Sequence, residues 1–308
     1  MKHQMIGLAL GSGAARGWAH IGILEALIDA GIVPDIVCGT SMGALVGGSY
    51  ASGRLPQLKA WALAADWKTV TSMIDVSLMS GGLVDGVRIV NWLGGLDVAR
   101  DIETLDVPFA AIATDLTSGR EVWLQSGALD KAIRASIALP GIFSPTNIDG
   151  RWLVDGGLVN PVPVSLCRAM GADFIIAVNL NEDLLGRRLT RGETHDEIAT
   201  KPAAAPNLLD VIKSMPGSIR AQASAFKLFG NTGATPGYFD VLANSINIMQ
   251  DHITRSRLAG EPPHVQILPR VVDIGLMDFH RAEQAIAEGR AATERVLPII
   301  KSKLHAQP

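Results

Sequence analysis

The chain carries at residues 36–43 the stretch Ile36-Val37-Cys38-Gly39-Thr40-Ser41-Met42-Gly43, which decides its fold and suggests its chemistry. The first three residues are apolar and suit a buried strand, and the other five form a Gly-x-Ser-x-Gly pentapeptide. Between a strand and a helix, this pentapeptide makes a sharp turn that lifts one serine hydroxyl clear of the backbone. Residues 44–51 are mostly small or apolar and predict a buried helix. Ser41 is therefore a candidate nucleophile.

Composition limits the classes of protein to consider. A chain of 308 residues is long enough for one large α/β domain or two small ones. Its hydrophobic content of 48% and its 32 glycines indicate a globular protein with many tight turns. The net charge of −3 gives no electrostatic basis for binding nucleic acid. Cys38 and Cys167 lie in apolar surroundings, which predicts small buried side chains rather than a disulfide.

Two apolar segments bear on location. The run from Met5 to Leu10 leads into a glycine loop instead of a small-residue cleavage site, so we expect no signal peptide. Residues 36–53 carry no charge over a length close to that of a membrane span. Their glycines and serines favour a buried strand, turn and helix instead. The sequence therefore predicts a soluble, cytoplasmic protein.

Strands and helices alternate along the first part of the chain. An apolar strand at residues 5–10 is followed by a glycine loop, by a helix at residues 18–30 and by the strand before Ser41. Further strand candidates lie at residues 108–114, 121–124 and 174–178. This alternation predicts an α/β fold, a three-layer α/β/α sandwich with a mostly parallel central sheet.

The rest of the chain is less regular. Residues 66–85 predict either a helix packed on the core or a mobile apolar lid over a lipid-binding cleft. Residues 183–206 read as a polar, flexible segment. The predicted elements after it are helices at residues 208–229 and 239–258, a strand at residues 264–268, and a closing helix at residues 279–303 interrupted at Pro298.

These elements predict one domain over residues 1–308. Its motif-bearing core spans about residues 5–180, and residues 207–308 form a helical C-terminal extension. The apolar faces of the last helices suit a homo-oligomer and suit a role in the core equally well.

The glycine loop at residues 11–17 is a candidate oxyanion hole. It follows a strand and opens a helix, so its free backbone N–H groups favour negative charge. A dinucleotide-binding loop is the alternative, because Gly11 and Gly13 begin a Gly-x-Gly pattern. However, the third glycine of that pattern is replaced by Arg16, and no acidic residue ends the second strand. A nucleotide-dependent enzyme remains the more remote hypothesis.

A serine nucleophile needs a base, and none of the seven histidines lies in an evident catalytic turn. His20 lies one turn into the first helix and is interpreted as a buried histidine. Asp155 is the better candidate, because it ends an apolar strand and precedes two glycines. An Asp-Gly turn that only holds its own backbone is the alternative. We expect Trp152, Leu153 and Leu158 to bury this carboxylate and so to raise its proton affinity.

Four segments together resemble the patatin-like phospholipases, most closely their small bacterial single-domain members. The family's G-G-G-x-[R/K]-G, G-x-S-x-G and D-G-[G/A] motifs correspond to residues 12–17, 39–43 and 155–157, and its A-S-x-A-x-P-x-x-F segment lies within residues 135–145. The resemblance covers about residues 5–180. The chain departs from it at Ser12 and Ala14, where the family usually has glycine.

The resemblance implies a Ser–Asp dyad that works without histidine or any metal or organic cofactor. Ser41 would be the nucleophile and Asp155 its base, with an acyl-serine intermediate. The other implied site residues are Ser12, Gly13, Ala14, Arg16 and Gly17 in the oxyanion loop, Gly39, Thr40, Met42 and Gly43 in the nucleophile turn, and Gly156 and Gly157 after the base.

The implied substrates are fatty acyl esters such as phospholipids or lysophospholipids, reached by transient peripheral contact with a membrane. The substitutions at Ser12 and Ala14 leave a second hypothesis open, a catalytically weak regulatory or scaffold protein with the same fold.

Overall fold

The computed structural model describes residues 4–66, 92, 95, 100–182 and 238–306. The chain divides into one compact unit formed by Met1–Asp183 with Met249–Pro308, and a second formed by Leu184–Ile248. The predicted segments 183–206 and 208–229 lie outside the described residues, as does all of the predicted lid except Asp66. The prediction of a single domain stays a prediction.

The first part of the chain alternates strands and helices. Its elements are β1 (Ile6–Leu10), a 3₁₀ helix (Ala14–Trp18), α1 (Ala19–Asp29), β2 (Ile36–Thr40), α2 (Met42–Ala51) and α3 (Leu55–Ala64). Every residue of β2 is buried, and so is nearly all of α2. The strand and buried helix expected on either side of Ser41 are therefore confirmed.

The remaining described elements complete the sheet and its cover. They are a 3₁₀ helix (Ile102–Thr104), β3 (Phe109–Asp115), β4 (Glu121–Leu124), α4 (Leu129–Ser136), β5 (Thr146–Ile148), β6 (Arg151–Asp155), a 3₁₀ helix (Gly156–Leu158), α5 (Val164–Ala169), β7 (Phe174–Val178), α6 (Tyr238–Gly260), β8 (Val265–Ile267), a 3₁₀ helix (Phe279–Arg281) and α7 (Ala282–Ala306). Among the described helices, none is long and apolar enough to cross a membrane.

The central sheet has eight strands, hydrogen-bonded successively as β5-β6-β3-β2-β1-β7-β8, with β4 also paired to β3. The pairs from β3 across to β8 are parallel, whereas β4, β5 and β6 pair antiparallel. Alternate residues of β1 enter two different buried clusters, Leu8 and Leu10 in one and Ala9 in the other. Residues of α1, α2 and α7 belong to the first cluster and residues of α5 to the second. The three-layer α/β/α fold is thus confirmed, with a mixed sheet.

Strands β2 and β6 share one edge of β3. Residues 111–112 of β3 pair with both β2 and β4, which must therefore flank β3 on opposite sides. Residues 113–114 of β3 pair with both β4 and β6, so β6 lies on the edge of β3 away from β4, as β2 does. The C-terminal ends of β2 and β6 meet head to head on that edge, since Thr40 and Asp155 pair with consecutive residues of β3.

The C-terminal residues are built into the same unit. Strand β8 extends the sheet by pairing in parallel with β7. Helix α7 packs so closely on α1 that a Cβ on Gly22 would stand 1.9 Å from the carbonyl oxygen of Ile286, and a Cβ on Gly289 2.0 Å from that of Ala19. The helical extension is confirmed, and it covers the first helix of the chain.

The predicted interruption at Pro298 is wrong, because α7 continues through this residue to Ala306. Proline removes one backbone hydrogen bond and crowds the preceding turn. Beyond it, Ile300 is fully buried and Leu304 packs against the core, so burial holds the last turns in line with the rest of the helix.

Candidate active site

Ser41 occupies the sharp turn between β2 and α2. Its φ of 55° and ψ of −121° lie outside the regions that non-glycine residues ordinarily adopt. The flanking glycines are required by contact: a Cβ on Gly43 would stand 2.1 Å from the carbonyl oxygen of Leu10, and one on Gly39 would stand 2.4 Å from that of Gly43. The turn therefore holds Ser41 in a strained conformation that its surroundings fix.

Asp155 contacts the hydroxyl of Ser41 directly. Ser41 Oγ donates to Asp155 Oδ2 at 2.6 Å, and the N–H of Gly157 donates to Asp155 Oδ1 at 2.7 Å. The two interpretations of Asp155, a base and an Asp-Gly turn, are compatible because each contact uses a different carboxylate oxygen. This geometry is the one that a nucleophile and its general base require.

Burial sets the protonation of Asp155. The side chain is 1% exposed, and this burial raises its pKa to about 6, against the hydrogen bonds from Ser41 and Gly157, which lower it. Leu153 lies on the same face of β6 and is fully buried. The expectation that Trp152 shields the carboxylate is wrong, since alternate residues of a strand face opposite sides and Trp152 is 53% exposed. Leu158 is half-buried.

The glycine loop lies beside this pair and has two open N–H groups. The N–H of Ser12 donates to the carbonyl of Pro161 at 2.8 Å, and that of Ala15 to the carbonyl of Leu276 at 3.1 Å. Within the described part of the chain, the N–H groups of Gly13 and Ala14 make no hydrogen bond. Two adjacent donors are thus left for a ligand.

The conformation of this loop is fixed by buried contacts. Ala14 adopts a φ of 45°, in the left-handed region that favours glycine. Arg16 is buried, and its Nε donates to the carbonyl of Gly13 at 3.1 Å. A Cβ on Gly17 would stand 2.3 Å from Cβ of Met42, so the loop packs directly against the nucleophile turn.

Further hydrogen bonds around Ser41 were missed from the sequence. The N–H of Ser41 donates to Oγ of Ser136 at 2.9 Å, and Oγ1 of Thr40 donates to the carbonyl of Asn160 at 2.8 Å. Ser136 lies in the A-S-x-A-x-P-x-x-F segment, which was the available signal, although the motif does not name a partner. These bonds hold both the turn and the residue before it.

Gln250 of α6 had no signal in the sequence at all. Its Oε1 accepts from Oγ of Ser12 at 3.0 Å and from Nδ2 of Asn181 at 3.2 Å. The side chain is buried, although it comes from a helix that carries none of the four motifs. The structure therefore connects the glycine loop to the C-terminal part of the chain.

His20 is a buried histidine, as interpreted. Its Nε2 donates to the carbonyl of Gly11 at 2.8 Å, and burial lowers its pKa to about 4, so the ring is neutral. Among the described residues it makes no hydrogen bond to Ser41 or Asp155. Cys38 and Cys167 are also buried and free, and burial raises the pKa of Cys38. In the described part of the chain, no group of acidic, histidine and cysteine side chains is arranged to hold a metal ion.

Comparison with known proteins finds a matching family profile and related sequences. The patatin-like phospholipase family profile matches residues 8–168. An uncharacterized NTE family protein of Mycobacterium tuberculosis is 35% identical over 337 residues, which cover 95% of this chain and 91% of that protein. The patatin-like phospholipase domain-containing protein 7 of Rattus norvegicus is 36% identical over 57% of this chain, but over only 13% of its own length.

One solved structure is also similar. VipD from Legionella pneumophila aligns over 97% of this chain and 67% of its own, with 11% identity and a TM-score of 0.46. This similarity is too distant to indicate a function.

Proposed function

The chain belongs to the patatin-like phospholipase family, and from this premise we propose that it is a serine hydrolase of fatty acyl esters. Ser41 is the nucleophile and Asp155 its general base. The observation that carries the proposal is the 2.6 Å hydrogen bond from Ser41 Oγ to a buried carboxylate whose pKa is raised to about 6. A base with a pKa near the working pH is both ionised and able to accept a proton.

The first half-reaction forms an acyl-serine. Ser41 Oγ attacks the ester carbonyl carbon while Asp155 takes the hydroxyl proton. The oxyanion that develops accepts hydrogen bonds from the N–H groups of Gly13 and Ala14, which are the open donors of the loop. As the tetrahedral intermediate collapses, the carbon–oxygen bond to the alcohol breaks, and Asp155 gives its proton to the departing oxygen.

The second half-reaction releases the acid. Water attacks the acyl carbonyl while Asp155 takes one of its protons, and the same two N–H groups stabilise the new oxyanion. Collapse breaks the bond to Ser41, which regains its proton from Asp155. The N–H of Gly157 holds Oδ1 of Asp155 in both steps, and Oδ2 exchanges the proton first with Ser41 and then with water, so the base needs little reorganisation between the steps.

The proposed substrates are phospholipids or lysophospholipids, met by transient contact with a membrane surface. Support comes from the family and from the name of the rat relative, a patatin-like phospholipase domain-containing protein. The positive φ of Ala14 favours a second candidate, a regulatory protein with weak activity, because an alanine strains the loop that a glycine would relax.

The test is hydrolysis of p-nitrophenyl butyrate and of lysophosphatidylcholine by the wild type and by Ser41→Ala and Asp155→Asn. We expect both variants to lose about a thousandfold or more in kcat/KM, as for other nucleophile–base pairs. Ser118→Ala, at an exposed hairpin serine, is the matched control and should behave as wild type. A fluorophosphonate should label wild type on Ser41 only. If Ser41→Ala keeps wild-type turnover, the proposed nucleophile is wrong; if purified wild type shows neither turnover nor label, the regulatory protein is favoured.

A further inference from the structure

Gln250 stands where three parts of the candidate site meet. Its side chain is 5% exposed and comes from α6, far along the chain from the catalytic motifs. On one side it accepts hydrogen bonds from Ser12, in the oxyanion loop, and from Asn181, just after β7. On the other side its Nε2 would lie 2.4 Å from a Cβ placed on Gly157, the residue whose N–H holds Asp155.

The amide of Gln250 lies close to the carboxylate of Asp155. The same Cβ position on Gly157 is 2.4 Å from Gln250 Nε2 and 3.0 Å from Asp155 Oδ1, so the two groups are separated by no more than these two distances together. Asn181 presents its Nδ2 to Gln250, and this nitrogen can only donate. The oxygen of Gln250 therefore faces Asn181 and Ser12, and its Nε2 lies on the side of Gly157.

We propose that Gln250 is a positioning residue, which ties the oxyanion loop to the turn carrying the base and keeps an amide donor beside the carboxylate of Asp155. This inference rests on the proposed function, since it assigns Gln250 a part in the same reaction. It also accounts for Ser12, the residue that departs from the family's glycine. The hydroxyl that glycine lacks is the group that donates to Gln250.

The amide of Gln250 is a polar, uncharged neighbour of Asp155, and the charged groups near it are paired elsewhere. Burial raises the pKa of Asp155, the hydrogen bonds from Ser41 and Gly157 lower it in part, and no charged side chain contributes to it among the described residues. The carboxylates next to Gln250 and Asn181 in the chain have partners of their own: Asp251 pairs with Arg255 at 2.8 Å, and Glu182 accepts from Asn179 at 2.9 Å.

Two substitutions test separately the contact of Gln250 with Ser12 and its position beside Asp155. Gln250→Met keeps the length of the side chain and removes both the acceptor and the donor, whereas Ser12→Ala removes only the contact to the loop. We expect Gln250→Met to lower kcat/KM about tenfold and to move the acid limb of its pH profile upward by about half a unit from its wild-type position near pH 6, because the anion loses a favourable dipole. Ser12→Ala should lower kcat severalfold with the acid limb unmoved.

His252→Ala is the matched control, since this exposed residue lies on the same helix and should leave the pH profile and activity as in wild type. Should Gln250→Met fail to fold, Gln250→Asn retains an amide withdrawn by one methylene, and we expect a smaller shift in the same direction. An unmoved acid limb in a folded Gln250 variant, or an equal shift in Ser12→Ala, overturns the proposal.

A second readout does not depend on turnover. The folded pKa of Asp155, about 6, is higher than its unfolded value, so the folded state binds the extra proton between about pH 4 and pH 6. Relative to Asp155→Asn, the wild type therefore loses stability as the pH rises through this window. When Gln250→Met is compared with the double variant that also carries Asp155→Asn, the loss of stability should continue to higher pH than in the wild-type comparison. The same pH window in both comparisons contradicts the inference. If wild type shows no esterase activity, the proposed function fails, while this titration still decides the role of Gln250.

Discussion

Two turns of this molecule each connect a strand to a helix. The turn at Ser41 presents a side-chain hydroxyl, whereas the loop at residues 11–17 presents backbone N–H groups. Residues 11–17 follow β1 and Ser41 follows β2, and these strands are parallel neighbours with Leu10 opposite Gly39. Each turn leads into a helix. Each also has one non-glycine residue at positive φ, Ala14 at 45° and Ser41 at 55°.

The difference lies in which group each turn leaves open. At the turn that carries Ser41, the N–H of this residue is bonded to Ser136 and its side chain reaches Asp155. In the glycine loop, the strained residue has only a methyl group, and the N–H groups of Gly13 and Ala14 stay open among the described residues. A turn with one non-glycine residue at positive φ thus presents a hydroxyl in the first case and main-chain donors in the second, depending on which neighbours take up the N–H groups.

The largest contrast between the turns should come from adding one methyl group to each. In Gly43→Ala the new Cβ would stand 2.1 Å from the backbone oxygen of Leu10, which cannot move without the strand, so we expect a loss of about 3 kcal/mol or more in unfolding free energy. In Gly13→Ala the nearest atom is Cδ1 of Leu180 at 2.6 Å, the end of a flexible side chain, and about 1 kcal/mol is expected. Urea denaturation measures both. Equal losses would show that the two turns are packed alike.

A smaller effect is expected from Ser136→Ala, which removes the acceptor of the Ser41 N–H. A buried N–H without a partner costs about 1–3 kcal/mol. Because the same bond holds Ser41, the proposed nucleophile, at its unusual φ, kcat should also fall about tenfold with little change in KM. Ser118→Ala serves again as the exposed control. Wild-type kcat in a Ser136→Ala protein of lowered stability would mean that the bond supports the fold alone.

The smallest effect, and of opposite sign, is expected from Ala14→Gly. The left-handed conformation of Ala14 is unfavourable by about 1 kcal/mol for a residue with a Cβ, so glycine should raise the melting temperature by a few degrees. The N–H is retained, and kcat/KM should stay within about twofold of wild type. A lower melting temperature would show that the methyl group of Ala14 makes a packing contact worth more than the strain.

What the sequence predicted well is local. A strand, a glycine-flanked serine and a helix follow each other within a few residues, so the local sequence alone predicted the turn at Ser41. The loop at residues 11–17 and the Asp-Gly-Gly turn at Asp155 were visible for the same reason. The backbone angles of a turn depend on the glycines within it, and these are what a motif encodes.

What the sequence did not show depends on partners brought in from elsewhere. Ser136 and Gln250 reach the site from α4 and α6, and the sequence of a helix does not show which donor a hydroxyl or amide will accept from. The outward position of Trp152 was available in principle, since it lies an odd number of residues from Asp155 in the same strand. The path of α7 through Pro298 was not, because it depends on the burial of Ile300.

The meeting of β2 and β6 on one edge of β3 makes the distance between Ser41 and Asp155 a property of the hydrogen-bond ladder. The two residues are 114 positions apart in the chain, yet only consecutive rungs of β3 separate their strand ends. Insertions or deletions in the surface segments between them should leave the pair intact. A slip of β6 by one residue, in contrast, would turn the carboxylate to the other face of the sheet and separate the pair. The contact between Ser41 and Asp155 is thus expected to tolerate changes in the length of the chain between them and to depend on the register of the sheet.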